Sequence, residues 1–175
     1  IADPRAPKAL GSIMLDGEPT SVAIVGGKAL TAVNTSESKA NPSGKLAIVD
    51  LASKKVDAAC DLGGQPDSIA VSPDGTIAAI AIENERDEDV DDGVIPQMPA
   101  GDLVIVPIKD GAADCTAIKR VTLTGIAGVA PEDPEPEFVS INSKNEIALT
   151  LQENNEIVII DGNNGTVKSH FPAGK

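Results

Sequence analysis

Three stretches of this chain begin alike. EPTSVAI (residues 18–24), QPDSIAV (65–71) and EPEFVSI (135–141) each place a proline second and run on into short β-branched segments. Each is followed by a second shared pattern: KLAIVD (45–50), DLVIVP (102–107) and EIVIID (156–161). Pro19, Pro66 and Pro136 stand 47 and 70 residues apart, and two long loops account for the larger interval. Val- and Ile-rich runs of four to eight residues, punctuated by Gly, Pro, Asn and Asp, predict strands. Gly26-Gly27 and Ser72-Pro73-Asp74-Gly75 predict tight turns, because proline presets φ and glycine accepts positive φ.

Each unit then reads as four strands. The first has 21–25, 29–33, 45–51 and 55–62. The second has 68–71, 76–82, 102–108 and 117–123, and the third 138–141, 146–151, 156–161 and 166–171. No segment has helical periodicity for longer than a turn. Four strands per repeat of roughly 40–50 residues is the pattern of β-propeller blades. A β-sandwich would not need the recurring leading proline. The fold class is therefore all-β: three propeller blades, at 18–64, 65–124 and 125–175, the second carrying an insertion at 83–101. Residues 1–9 read as a linker or untied terminus, and 10–17 as the outer strand and turn of a preceding blade. Three blades cannot close a ring, so the expectation is a piece of a six- or seven-bladed propeller, or two copies pairing. Ile1 reads as a processed, cleaved or engineered end.

The residues that carry the repeat, a leading proline, SPDG and the IVID-like third strand, resemble the YVTN type of propeller repeat. Lactonase-like and surface-layer proteins share it. LVIVP (103–107) and ENERDED (83–89) are similar to stretches of secreted propeller proteins described as phytase-like, esterase-like or alkaline-phosphatase-like. The resemblance implies an exported, periplasmic or surface protein. It also implies, as an alternative function, a metal-dependent hydrolase whose remaining catalytic groups lie in other blades.

Composition narrows the partners. The formal net charge is −13, which disfavours nucleic acid and anionic membranes. The chain has two Phe and no Trp or Tyr, so it lacks an aromatic stacking surface. No apolar run is long enough for a membrane helix. Cys60 and Cys115 form one possible disulfide, or two buried thiols.

In a blade, the loop between strands two and three shares one face with the connection into the next blade. That face gathers Glu18, Asn34, Ser36 and Glu37 from the first unit. The second supplies Asp67, Glu83, Asn84, Glu85, Asp87, Glu88, Asp89, Asp91 and Asp92. The third supplies Glu132, Asp133, Glu135, Gln152, Glu153 and Asn154. Asn34, Glu83, Asn84, Glu85, Gln152, Glu153 and Asn154 directly follow strands, so the sheet would hold them as a ligand-facing set, unless they cap strand ends. Asp87, Glu88, Asp89, Asp91 and Asp92, with Glu132 and Asp133, are hard oxygen donors suited to Ca²⁺ or Mg²⁺. DEDVDDG departs from an EF-hand loop: Asp92 sits where Gly belongs and Met98 where the bidentate Glu belongs. A solvated acidic loop is the plainer alternative. Arg86 reads as a local counter-charge, and the single His170 as a packing or surface residue. VIPQMPA (94–100) is expected to fold back over the blade. The best functional reading is a binding scaffold whose acidic face takes a divalent cation or a protein partner.

Overall fold

The computed structural model describes residues 3–174. Ile1, Ala2 and Lys175, the outer ends of the predicted linker and of the third unit, lie outside the described residues. The chain forms three antiparallel sheets. In the first, β1 (Glu18–Val25), β2 (Lys28–Asn34), β3 (Gly44–Asp50) and β4 (Lys55–Asp61) lie in sequence order. The third repeats this with β10 (Pro136–Ile141), β11 (Glu146–Leu151), β12 (Glu156–Asp161) and β13 (Thr166–Pro172). The middle sheet orders β5 (Pro66–Val71), β6 (Ile77–Ile82) and β7 (Asp102–Lys109). Its outer edge is split: β8 (Ala112–Ala113) pairs with Ile108–Lys109, and β9 (Lys119–Thr122) with Asp102–Ile105. The outer strand expected at 117–123 is β9, and the edge carries an additional short piece, β8, in the stretch expected to turn. Asp114 turns the chain between them by accepting from the Thr116 N–H and Lys109 Nζ, and Cys115 is drawn aside to Cys60.

The sheets stack face to face as successive blades. Leu30, Leu46 and Ile48 of the first meet Ile80, Ile82 and Val104 of the second, and Leu103 and Ile105 of the second meet Leu149, Leu151 and Val158 of the third. A blade covered on both faces needs apolar residues at every position, and β6, IAAIAI, is buried throughout. The contacts between innermost strands repeat. The Ile69 N–H donates to Ser21 Oγ at 3.2 Å, and the Val139 N–H donates to Ser68 Oγ at 3.0 Å. A second repeated device explains the leading prolines. A Cβ at Gly44 would overlap Pro66 and the Gly64 carbonyl, and one at Gly101 would overlap Pro136 and the Ile82 and Glu83 carbonyls. Each glycine lets the next blade's proline pack onto the start of strand three.

Residues 10–15 correct an expectation. They form no strand. A strand needs a neighbour to share its ladder, and none of the described residues pairs with this segment. It is held instead along the outer face of the first blade, where Lys54 Nζ donates to the Leu10 carbonyl and Lys45 Nζ to the Asp16 carbonyl. The cysteines form one disulfide, Cys60–Cys115, joining the outer parts of the first and second blades. His170 Nδ1 lies 2.8 Å from the buried Glu156 carboxylate, so it is a paired residue on the outer strand β13.

Candidate functional site

The loops that follow strand two of each blade, with the connections into the second and third blades, share one face. On it the 83–101 insertion folds back as expected. Gln97 makes the fold-back: its Oε1 accepts the Asp87 N–H at 2.9 Å and its Nε2 donates to the Asp87 carbonyl. The Gln97 N–H donates to Asp133 Oδ2, tying the insertion to the connection before β10. Beneath it, Arg86 makes a buried ion pair with Glu135 Oε1 at 2.7 Å and lies 3.6 Å from Asp133 Oδ2. The Arg86 N–H also donates to Glu135 Oε2.

Between the insertion and the neighbouring blades lies a cleft of about 360 Å³. Its carboxylates are Glu83, Glu85, Asp87, Glu88, Asp89, Glu135 and Glu153, against two cations, Lys39 and Arg86. Lys39 reaches over from the 35–43 loop and donates to Glu85 Oε1 at 2.7 Å. Glu83 sits deepest in the electrostatics. Burial, then the charges of Asp67, Glu137, Glu85 and Glu135, push its carboxyl up to about 8. Burial is also the main cause that raises Asp67, Glu135 and Glu137, opposed at Glu135 by Arg86. The innermost strands thus add two carboxylates to the mouth.

Several predicted site residues are brought together here and others are not. Glu83, Glu85, Glu153, Asp87, Glu88 and Asp89 line the cleft. Gln152 is exposed outside the cleft's lining. Asn34 is turned into its own loop, where its Oδ1 accepts the Ser36 N–H. Asn84 and Asn154 leave the ligand set. Asn84 Oδ1 accepts the Gln65 N–H, and its Nδ2 donates to the Pro99 and Ala100 carbonyls. Asn154 Oδ1 accepts the Glu135 N–H, and its Nδ2 donates to the Val129, Ala130 and Asp133 carbonyls. Both amides are buried latches that fix the residue before their own blade's leading proline, Gln65 before Pro66 and Glu135 before Pro136. Among the oxygen donors proposed for a metal, Asp133 is 2 % exposed and taken by Arg86 and Gln97. Asp91 and Asp92 sit in a short exposed turn at the insertion's tip, and Glu132 is exposed on the connection. Among the described residues, no group of three or more His, Cys, Asp or Glu is arranged to hold a metal ion.

Glu137 is the member of the cluster that was not placed on this face from sequence. Its signal was the aligned openings: the residue after the leading proline is Thr20, Asp67 and Glu137 in turn. A pH prediction follows from Glu83. The folded protein keeps a proton on this carboxyl at pH values where the unfolded chain, near its ordinary 4.5, has released it. Folding therefore takes up a proton, and stability falls as pH rises from about 4.5 through about 8. The loss is on the order of 1–2 kcal/mol once solvent screening of this half-exposed site is counted. Urea titrations at pH 5 and pH 8.5 should show it, and Glu83→Gln should flatten the difference.

A family model described as a choice-of-anchor I domain matches residues 1–175. Among solved structures, the chain is similar to a protein from Lactobacillus plantarum, at 13% identity and TM-score 0.61 over 93% of this chain and 44% of that one. It is similar to the β-propeller domain of Cps50 (Swd1) from Myceliophteria thermophila, at 10% identity and TM-score 0.57 over 91% of this chain and 45% of that one. Kuenenia stuttgartiensis hydrazine synthase matches at 14% identity and TM-score 0.56, over 78% of this chain and 37% of that one. At such identities the likeness is one of fold. The chain spans less than half the length of each of these structures. No curated protein matches it. No helix among the described residues is long and apolar enough to cross a membrane.

Proposed function

Because the chain belongs to the choice-of-anchor I domain family and is built of propeller blades, we propose that it acts as an extracellular binding scaffold whose acidic face takes a cationic ligand. The observation that carries this reading is the cleft around Glu83, where seven carboxylates face two cations. Bringing a positive charge there relieves the carboxylate repulsion that adds to burial in raising Glu83, Asp67 and Glu137. The ligand is a divalent cation or the Lys and Arg side chains of a partner protein. Lys39 on Glu85 and Arg86 on Glu135 support the second form, since the face already seats one ammonium and one guanidinium. The repeats are of the YVTN type on this reading. The Cys60–Cys115 disulfide supports an oxidising compartment, hence a secreted, periplasmic or surface location.

Thermal melts test this with CaCl₂, MgCl₂ and a Lys-rich peptide as separate ligands. At about a hundred times its Kd, a ligand should add about 2.7 kcal/mol, or roughly 5–10 °C, to the midpoint. Chelator should reverse a metal's shift, and added salt a peptide's. Glu83→Gln with Glu85→Gln should abolish either. No shift with all three ligands removes the reading. Ca²⁺-dependent hydrolysis of a phosphoester or ester would replace it with a metal-dependent hydrolase.

A further inference from the structure

Val22, Ile69 and Val139, which follow Ser21, Ser68 and Phe138, hold the same place in the three blades but not the same surroundings. Ile69 is 8% exposed and Val139 is 3% exposed, each covered by the blade before it, whereas Val22 is 60% exposed. In each covered case the backbone N–H donates to a serine hydroxyl of the preceding blade, Ser21 or Ser68. Val22 stands one blade earlier in the same register. Ile24, two residues on and on the same side of β1, is also exposed.

Residues 10–16 lie on this same outer face, fixed by Lys54 through the Leu10 carbonyl and by Lys45 through the Asp16 carbonyl. The third blade meets the second in a similar way at its own outer turn, where Lys119 of β9 donates to the Asn163 carbonyl. In chain order, too, residues 10–15 precede β1 as β4 precedes β5 and β9 precedes β10. The segment therefore has the place of a blade's outer strand without the three strands that would pair with it.

We infer that the outer face of the first blade docks a three-stranded antiparallel sheet from elsewhere in the same polypeptide, which takes residues 10–15 as its fourth strand and offers a side-chain hydroxyl to the Val22 N–H. A second copy of this chain does not fit the description. Its free end is the third blade, which already has a fourth strand, β13, where residues 10–15 would have to pair. That blade also carries Phe138 at the position of Ser21 and Ser68, so it has no hydroxyl to offer.

Hydrogen exchange on the wild-type 1–175 chain and on a longer polypeptide containing it tests this without any variant. In the longer polypeptide, exchange over residues 10–15 and at the Val22 amide should slow at least tenfold, as a ladder and the hydroxyl contact form. A Val22→Cys variant should lose maleimide reactivity to the same degree, and the 1–175 chain should remain monomeric by light scattering. Equal exchange and labelling in both polypeptides overturns the inference. So does self-association of the 1–175 chain that protects Val22, which would make a second copy the occupant.

Discussion

Arg86→Ala should lower stability by about 3–5 kcal/mol, far more than the removal of an ordinary surface arginine. Its side chain is 14% exposed, and the carboxylates it faces, on Glu135 and Asp133, are 4% and 2% exposed. Without the guanidinium these two acids are left buried beside each other and uncompensated. The backbone donors remain: the Arg86 N–H on Glu135 and the Gln97 N–H on Asp133. They supply dipoles, not a net positive charge. Protonating Glu135 would remove one of the buried charges, so the deficit should shrink as the pH falls. Adding Glu135→Gln to the alanine variant should recover much of the loss at pH 7, because an amide needs no counter-ion. Urea titrations of the single and double variants measure both effects. A loss under 1 kcal/mol for the single variant would mean that water already screens the pair. Because Arg86 and Gln97 together fasten the insertion, the variant should also free the 83–101 loop to proteolysis before the blades unfold.

What could be read from the residues was the part dictated by local pattern. The leading prolines Pro19, Pro66 and Pro136 mark strands that form at or beside them, and residues 76–82 read as a strand, where β6 forms. Turn chemistry placed Gly26-Gly27 and Ser72-Gly75 because φ preferences act over two residues. The misplaced features all depend on distant partners. Asn84 and Asn154 stand at strand ends, where an amide can serve a ligand or the backbone equally well. The choice was made by carbonyls at Pro99 and Ala100, and at Val129 and Ala130, that folding brings within reach. The metal set combined Asp87, Glu88, Asp89, Asp91 and Asp92 of the insertion with Glu132 and Asp133 of the third unit, yet Asp91 and Asp92 sit at the insertion's tip, outside the cleft that Glu135 and Glu153 line. Residues 10–15 have strand composition but no neighbour to bond with. The outer edge of the second blade is in two pieces, with Cys115 between them paired to a cysteine 55 residues away.

That pairing sets the second large effect. Replacing both Cys60 and Cys115 by alanine should cost about 4 kcal/mol, the loop-closure entropy that a cross-link spanning some 55 residues removes from the unfolded chain. The midpoint should fall by roughly 8–16 °C. The physical reason for relying on this bond lies in the outer edge it joins. The second blade's fourth strand is two short pieces, of two and four residues, and cannot hold itself by ladder bonds alone. Besides the disulfide, that edge is fastened to the first blade by Arg120, whose guanidinium reaches the Leu62 carbonyl. Loss of the bond should therefore act locally before it acts globally: exchange of amides over 112–122 should rise at denaturant concentrations where β6 and β7 stay protected. Reductant should move the wild-type midpoint to that of the double variant and leave the variant unchanged. A double variant melting within 2 °C of wild type would show that inter-blade packing, not the cross-link, secures the second blade's outer edge.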